Sequence, residues 1–236
     1  MTTKAAHEQH HHGLSMISPH PVNATWNGSP TILQVEQNVN MPQTPNGTVI
    51  FSATNKAIQN NQGQLILTSG ATLTPLDVPA LANRPTILIN NYRSNNLSVT
   101  NVSPNEATPI EVQAVGPGIP GMVPKVLQIG VPLVLNSGEV AQGNSAPQFM
   151  QLIFRSNAQT LGVMGFIGGP ANSSGNNGHV ITVNDPTPPP PPAGYHAVNS
   201  GNTYAFPSFN WGGGSVFVAN LSPTIADPVT VILRAL

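Results

Sequence analysis

The chain carries one stretch of sequence twice, and this constrains its fold more than any other feature. Asn91-Tyr92 through Val112 aligns without a gap on Asn210-Trp211 through Val231, and the matched cores read VTNVSPNEATPIEV and VANLSPTIADPVTV. Tyr92 answers Trp211, while Leu97, Val102 and Ile110 meet Val216, Leu221 and Val229. Internal self-similarity of this kind predicts one supersecondary unit present in two copies. A second pair is read upstream, with Asn60-Asn61-Gln62-Gly63-Gln64-Leu65-Ile66 facing Gly175-Asn176-Asn177-Gly178-His179-Val180-Ile181.

The repeated unit reads as two strands joined by a turn. Apolar residues alternate from Val99 to Val102, Ser103-Pro104 opens the connection, Pro109 closes it, and Ile110, Val112 and Ala114 alternate again. The second copy repeats the pattern through Pro223 and Pro228. A proline cannot donate to a β-ladder, so these positions limit where pairing runs. Asn91, Tyr92, Asn101, Pro104 and Pro109, with Asn210, Trp211, Asn220, Pro223 and Pro228, are therefore the expected core and turn positions of the repeat.

The rest of the chain favours the same class. With 22 Gly and 25 Pro there is little room for uninterrupted helical windows. Short runs rich in Val, Ile, Leu, Phe and Thr lie between the breaks, and these predict strands. In the first half they are Thr48 to Ala53, Gln64 to Thr68, Thr86 to Asn90, Leu97 to Val102 and Ile110 to Val115. In the second they are Val131 to Leu135, Phe149 to Arg155, Leu161 to Ile167, His179 to Val183, Val216 to Asn220 and Val229 to Leu236. The expected fold is all-β: two tandem, similar β-sandwich modules of jelly-roll or immunoglobulin-like character, preceded by an extended N-terminal arm.

The repeat also places the boundaries. Residues 1–22 form a His-rich arm, 23–115 the first module, 116–124 a Gly/Pro linker and 125–236 the second module. The run Pro188 to Pro192 resembles an interdomain spacer because polyproline II is stiff. Its alignment with Leu73-Thr74-Pro75-Leu76 makes it instead a loop of the second module, spanning 186–193. The linker is Gly116-Pro117-Gly118-Ile119-Pro120-Gly121.

Composition excludes several functions. Charged residues make up 6% of the chain and the net charge is -1, while 39% of residues are hydrophobic, which is not the balance of a disordered chain. The seven Lys and Arg are scattered, so no basic face for phosphates is expected and nucleic acid is not a partner. Cys is absent, which removes disulfides, thiolate metal sites and a cysteine nucleophile. MTTKAAHEQHHHGLSM has no apolar core of a secretory signal, and no segment is apolar for long enough to span a bilayer. The surface is instead built from Asn, Thr, Ser and Gln, which lets copies approach without mutual repulsion.

Motifs of known chemistry fail on their surroundings. The linker satisfies G-x-G-x-x-G, but Pro117 and Pro120 remove two of the N–H donors that would cradle a pyrophosphate, and MVPKVLQIGVP after it is not helical. His7-Glu8-Gln9-His10-His11 satisfies H-E-x-x-H, yet a His cluster followed by Gly13 offers no buried helix beside a cleft. His7, His10, His11 and His12 are the candidate ligands for Zn, Ni or Cu, at a structural rather than catalytic site. A Ser-His-Asp site would need His179, His196 and one of three Asp residues, and no G-x-S-x-G turn places a nucleophile. Lys56 and Lys125 are the lysines that could form an amide cross-link to a buried Asn. Tyr92 and Trp211 read as core or rim aromatics, or as a platform for sugar rings together with Trp26, Tyr195, Tyr204, Phe206 and Phe209. The sequons at Asn23, Asn46, Asn96, Asn101, Asn172 and Asn220 are expected by chance in so Asn-rich a chain.

The expected function is structural. The chain is read as a self-assembling subunit of a filament, shell or virion surface, contacting its own copies through sheet edges and the arm, and not as an enzyme. The alternative is a carbohydrate-binding or adhesive module with glycans as partners. An extracellular or virion setting is expected.

Overall fold

The computed structural model describes residues 24–42, 48–80, 85–91, 96–119, 121–143, 149–156, 162–169, 178–183, 195–198, 203–205, 209–210, 215–222 and 227–236. Among these residues every regular element is a β-strand. The first half supplies β1 (Ala24–Thr25), β2 (Thr31–Leu33), β3 (Asn38–Met41), β4 (Thr48–Asn55), β5 (Gly63–Ser69), β6 (Thr72–Val78), β7 (Thr86–Asn91), β8 (Leu97–Asn101) and β9 (Ile110–Val115). The second half supplies β10 (Lys125–Val126), β11 (Leu133–Leu135), β12 (Val140–Gly143), β13 (Phe149–Ser156), β14 (Gly162–Gly169) and β15 (Gly178–Val183). It ends with β16 (Tyr195–Val198), β17 (Thr203–Ala205), β18 (Phe209–Asn210), β19 (Ser215–Asn220) and β20 (Val229–Ala235).

These strands form four sheets. Sheet A has the order β1-β3-β8-β5-β6 and sheet B the order β2-β9-β4-β7. Sheet C runs β10-β12-β19-β14-β15-β16 and sheet D runs β11-β20-β13-β17, with β18 also paired to β13. One order therefore recurs: β1-β3-β8-β5-β6 matches β10-β12-β19-β14-β15, and β2-β9-β4 matches β11-β20-β13. Direction recurs too, since β1 lies parallel to β3 and β10 parallel to β12, whereas β8 and β19 run antiparallel to their neighbours.

Each pair of sheets encloses a core of side chains from alternate strand positions. Leu33, Phe51, Leu65, Leu67, Val99 and Ile110 are buried between sheets A and B, and Leu135, Leu152, Met164, Phe166, Val218 and Val229 between C and D. Bulk is exchanged within this common plan. Trp26 meets Phe51 edge-on at 6.4 Å in the first half, where the second has Leu127 and Leu152. Phe154 and Phe166 lie 5.7 Å apart in the second, where the first has Ala53 and Leu67. A close-packed interior fixes total volume more tightly than the residue at each position, so the repeat fades in these strands.

A third core joins the halves. Ile50 and Val115 of sheet B are buried against Val140, Val163, Val180, Phe217 and Ala219 of sheet C and Leu221 just beyond β19, with Ile87, Ile89 and Ile167 at the margin. The central strands of sheets B and C are thus buried on both faces, Val49 through Asn55 of β4 and Val216 through Asn220 of β19 without interruption. The layers stack in the order A, B, C, D.

One sequence expectation needs correction. Gln64 through Ile66 lie on β5 beside β8, whereas Val180 and Ile181 lie on β15, one strand further from β19. The structural counterpart of Gln64 is Val163, so the Asn60 and Gly175 segments are not equivalent. Similar Asn-Gly-rich approaches to two different strands produced that match. The duplicated segment is two strands joined by a turn, as read, and the strands divide between sheets: β8 belongs to sheet A and β9 to sheet B, so the connection is an arch. The stretch from Gly116 is packed rather than slack, with Gly116 and Pro117 buried, Ile119 in the first core and Met122 touching both the first core and the junction. The run Pro188 to Pro192 lies outside the described residues.

Candidate functional site

The repeat converges on two buried asparagines. Asn101 ends β8, and its Nδ2 donates to the carbonyls of Leu33 at 2.9 Å and Thr108 at 3.0 Å, tying sheet A to sheet B and to the arch. Its Oδ1 accepts from the backbone N of Ser103 at 3.1 Å and from Ser103 Oγ at 2.6 Å. Asn220 does the same at the end of β19. Its Nδ2 donates to Leu135 at 2.8 Å and Asp227 at 3.0 Å, and its Oδ1 accepts from Ser222 N at 3.0 Å and from Ser222 Oγ. Each serine oxygen then accepts a backbone N–H, from Gln64 in one half and Val163 in the other, both at 2.9 Å. A buried amide with both ends satisfied fixes the chain path sharply, because losing any partner strands a desolvated polar group. The sequons at Asn101 and Asn220 therefore lie inside the fold.

The other expected positions are spread out. Pro104 is exposed at the start of the first arch, while Pro109 and Pro228 are half-buried immediately before β9 and β20. Asn91 and Asn210 end β7 and β18. Tyr92, Trp211, Pro223, His7, His10, His11 and His12 lie outside the described residues. Among the described residues no group of three or more His, Cys, Asp or Glu could hold a metal ion. No described helix is long and apolar enough to cross a membrane. Lys56 pairs with Glu111 at 3.2 Å and Lys125 with Glu139 at 2.6 Å, so each lysine singled out for cross-linking faces a glutamate.

One cleft of about 350 Å³ opens where the halves meet. Asn27, Gly28 and Ser29 of the first half face Gly138, Glu139 and Val140 of the second across it, with Gln113, Met122 and Lys125 along the floor and rim. Asn27 and Ser29 are fixed locally, since Asn27 Oδ1 accepts from Ser29 N at 3.1 Å. Glu139 on the lining of this cleft carries a shifted carboxyl. Glu139 is held below the usual carboxylate range, first by its hydrogen bond from Lys125 and then by the backbone N–H of Asn136 at 2.7 Å, against a small opposing effect of burial. Its carboxylate is thus a fixed acceptor fastening β10 to the turn before β12. Among the described residues no aromatic side chain lines the cleft.

Sequence reasoning missed a second repeated stretch. Gly28-Ser29-Pro30-Thr31-Ile32-Leu33 corresponds to Gly130-Val131-Pro132-Leu133-Val134-Leu135, with Gly28 and Gly130 at φ +82° and +75°. The spaced Gly, Pro and Leu were the available signal. They went unseen because this pair is 102 residues apart rather than 119, and no single offset shows both repeats. The correspondence continues to Glu36 and Gly138, at φ +67° and +81°, whose backbone N–H groups donate to Asn101 and Asn220.

No protein-family profile matches the chain, and no curated protein matches it in sequence. Among solved structures it is similar to the PBSX exported protein XepA, at 10% identity and TM-score 0.24, covering 87% of this chain and 85% of that one. The T=1 Penaeus vannamei nodavirus matches at 9% identity and TM-score 0.21, covering 87% and 98%. The tandem CBM22-1-CBM22-2 domains of Paenibacillus barcinonensis Xyn10C match at 11% identity and TM-score 0.21, covering 84% and 82%.

Proposed function

We propose that this chain is a structural, self-assembling subunit of a repetitive assembly, built from two tandem, similar β-sandwich modules of jelly-roll or immunoglobulin-like character. The observation that carries this reading is the junction. One half already buries part of a sheet face against its counterpart, with Ile50 and Val115 packed on Val163, Phe217 and Ala219. The fold packs on a copy of itself within one chain, and its outer surface lacks the charge that would oppose the same between chains. With 6% charged residues and two surface ion pairs among the described residues, contacts between copies rest on backbone edges and apolar patches. The His-rich arm acts as a clasp on a neighbouring copy, and catalysis is no part of this function.

Size-exclusion chromatography with light scattering, followed by negative-stain microscopy of the full chain, tests this reading. Discrete oligomers or polymers that persist at high salt are expected. A single-chain mass at every concentration overturns it.

A further inference from the structure

Among the described residues five asparagines form the same local turn, in which the side-chain Oδ1 accepts the backbone N–H two residues on. Asn27 accepts from Ser29, Asn55 from Ala57, Asn101 from Ser103, Asn105 from Ala107 and Asn220 from Ser222, at 2.9 to 3.1 Å. The turn folds the amide carbon Cγ back over the intervening peptide, and its hydrogen bond polarises the Cγ–Oδ1 carbonyl. What this permits depends on the intervening residue. At three sites it is Lys56, Val102 or Leu221, whose N–H groups are bonded into the fold, to the carbonyls of Pro109, Gln64 and Val163. The asparagines there are buried. At Asn105, exposed on the first arch, it is Glu106, a residue whose side chain hinders approach to its nitrogen. At Asn27 alone it is a glycine. Nothing among the described residues accepts from the Gly28 N–H, and Asn27 is exposed on the wall of the cleft between the halves, open to water.

The segment is also held in this arrangement. The backbone N–H of Trp26 donates to Asn40 at 2.7 Å, its indole Nε1 donates to Ser29 at 2.8 Å, and the carbonyl of Gly28 accepts from Ala114 at 2.9 Å. An electrophile and a nucleophile fixed side by side react without the entropy cost of finding one another.

We propose that Asn27 modifies itself, passing through a cyclic imide to aspartate and isoaspartate. The Gly28 nitrogen, losing its proton to hydroxide, attacks Asn27 Cγ. The N–Cγ bond forms, the Cγ–Nδ2 bond breaks, and the amide nitrogen leaves as ammonia with a proton taken from water. A second water opens the five-membered ring at either carbonyl. Attack at Cγ gives aspartate, and attack at the main-chain carbon gives isoaspartate, with one more methylene in the backbone. Either product places a carboxylate across the cleft from Glu139, and isoaspartate lengthens a segment tied down on both sides. The second half cannot follow, because the residue before Gly130 is Ile129. Charge and spacing at the cleft thus change with the age of the chain, from the first half only.

The test follows the folded full chain in neutral and mildly alkaline buffers, beside wild type unfolded by denaturant in the same buffers, with peptide mapping by mass spectrometry at intervals. Asn46 and Asn177 also precede glycines but lie outside the described residues, and the map reads their peptides separately. The expected result at the Asn27 peptide is loss of ammonia followed by gain of water, in two products that separate chromatographically. Its rate rises with pH and is at least as high folded as unfolded. Asn55, Asn101, Asn105 and Asn220 stay amides in the folded chain while Asn27 converts, and Asn27→Gln, whose extra methylene disfavours the ring, abolishes the products. Slower conversion of Asn27 folded than unfolded overturns the proposal, because the fold then protects the amide instead of positioning it. Conversion at Asn105 as fast as at Asn27 overturns it too, since the glycine and its unpartnered N–H would then make no difference.

Discussion

Ile50 of sheet B lies directly over Gly165 of sheet C, so close that a Cβ added to the glycine would stand 2.9 Å from Ile50 Cγ2. The absent side chain lets two sheets from different halves approach at that point. Gly165→Val is expected to destabilise by about 1–3 kcal/mol through overpacking, and Ile50→Ala by about 3 kcal/mol through the cavity it leaves. Because the junction core is shared, both variants should shift one cooperative unfolding transition in calorimetry. Two separate transitions, only one of them shifted, would contradict the shared core.

Asn101→Ala and Asn220→Ala should each lose about 2–4 kcal/mol, since several buried partners lose their bonds at once. The two losses should be similar because the hydrogen bonds correspond partner for partner. Chemical denaturation measures both, and a loss below about 1 kcal/mol in either would show that the buried asparagine contributes little to the fold.

Gly28 and Gly130 share a left-handed conformation but not their surroundings. A Cβ at Gly28 would fall 2.3 Å from the carbonyl oxygen of Ala114, whereas one at Gly130 meets nothing within 4 Å. Gly130→Ala should therefore cost only backbone strain, about 1–2 kcal/mol. Gly28→Ala must in addition displace β9, and its melting temperature should fall clearly further.

Glu36 adopts φ +67° where its counterpart Gly138 has +81°. Glu36→Gly removes that strain but adds backbone freedom to the unfolded chain, so a gain of up to about 1 kcal/mol is expected. The reverse change, Gly138→Ala, should destabilise by a similar amount. Equilibrium denaturation of the pair gives both signs.

Glu139 confers a pH dependence of known sign. Its carboxyl is held below the ordinary range by Lys125, so its stabilising effect is complete above the ordinary carboxylate pKa and is lost as pH falls through the depressed value. Melting temperature should drop with acidification through that window, and Glu139→Gln should flatten that part of the profile. The effect is small, because the pair is substantially solvated and screened.

Much of the fold was legible because its signals are local. Val, Ile and Phe runs between Gly and Pro marked β4, β5, β7, β8, β9, β13, β14, β19 and β20, since side-chain shape and breaker chemistry act within a few residues. β6 was not among the predicted strands, since Pro75 and Asp77 interrupt its pattern; among the described strands it is an edge strand paired to β5. The Asn101 and Asn220 positions stood out as repeated letters, but their role did not, because Leu33 and Leu135 reach them from distant parts of the chain.

The sequence by itself determined an all-β chain with a duplicated segment and almost no charge, since propensity, periodicity and composition are written residue by residue. It even held a trace of the junction: β8 alternates as Leu97-Ser98-Val99-Thr100, while β19 runs apolar through Val216-Phe217-Val218-Ala219. Only the tertiary structure decided that the duplicated strands divide between sheets, that the halves share a buried core, and that Val126, Ile129, Val131 and Val134 stay exposed. These depend on which surfaces meet, and burial is a property of the assembled layers rather than of any one segment.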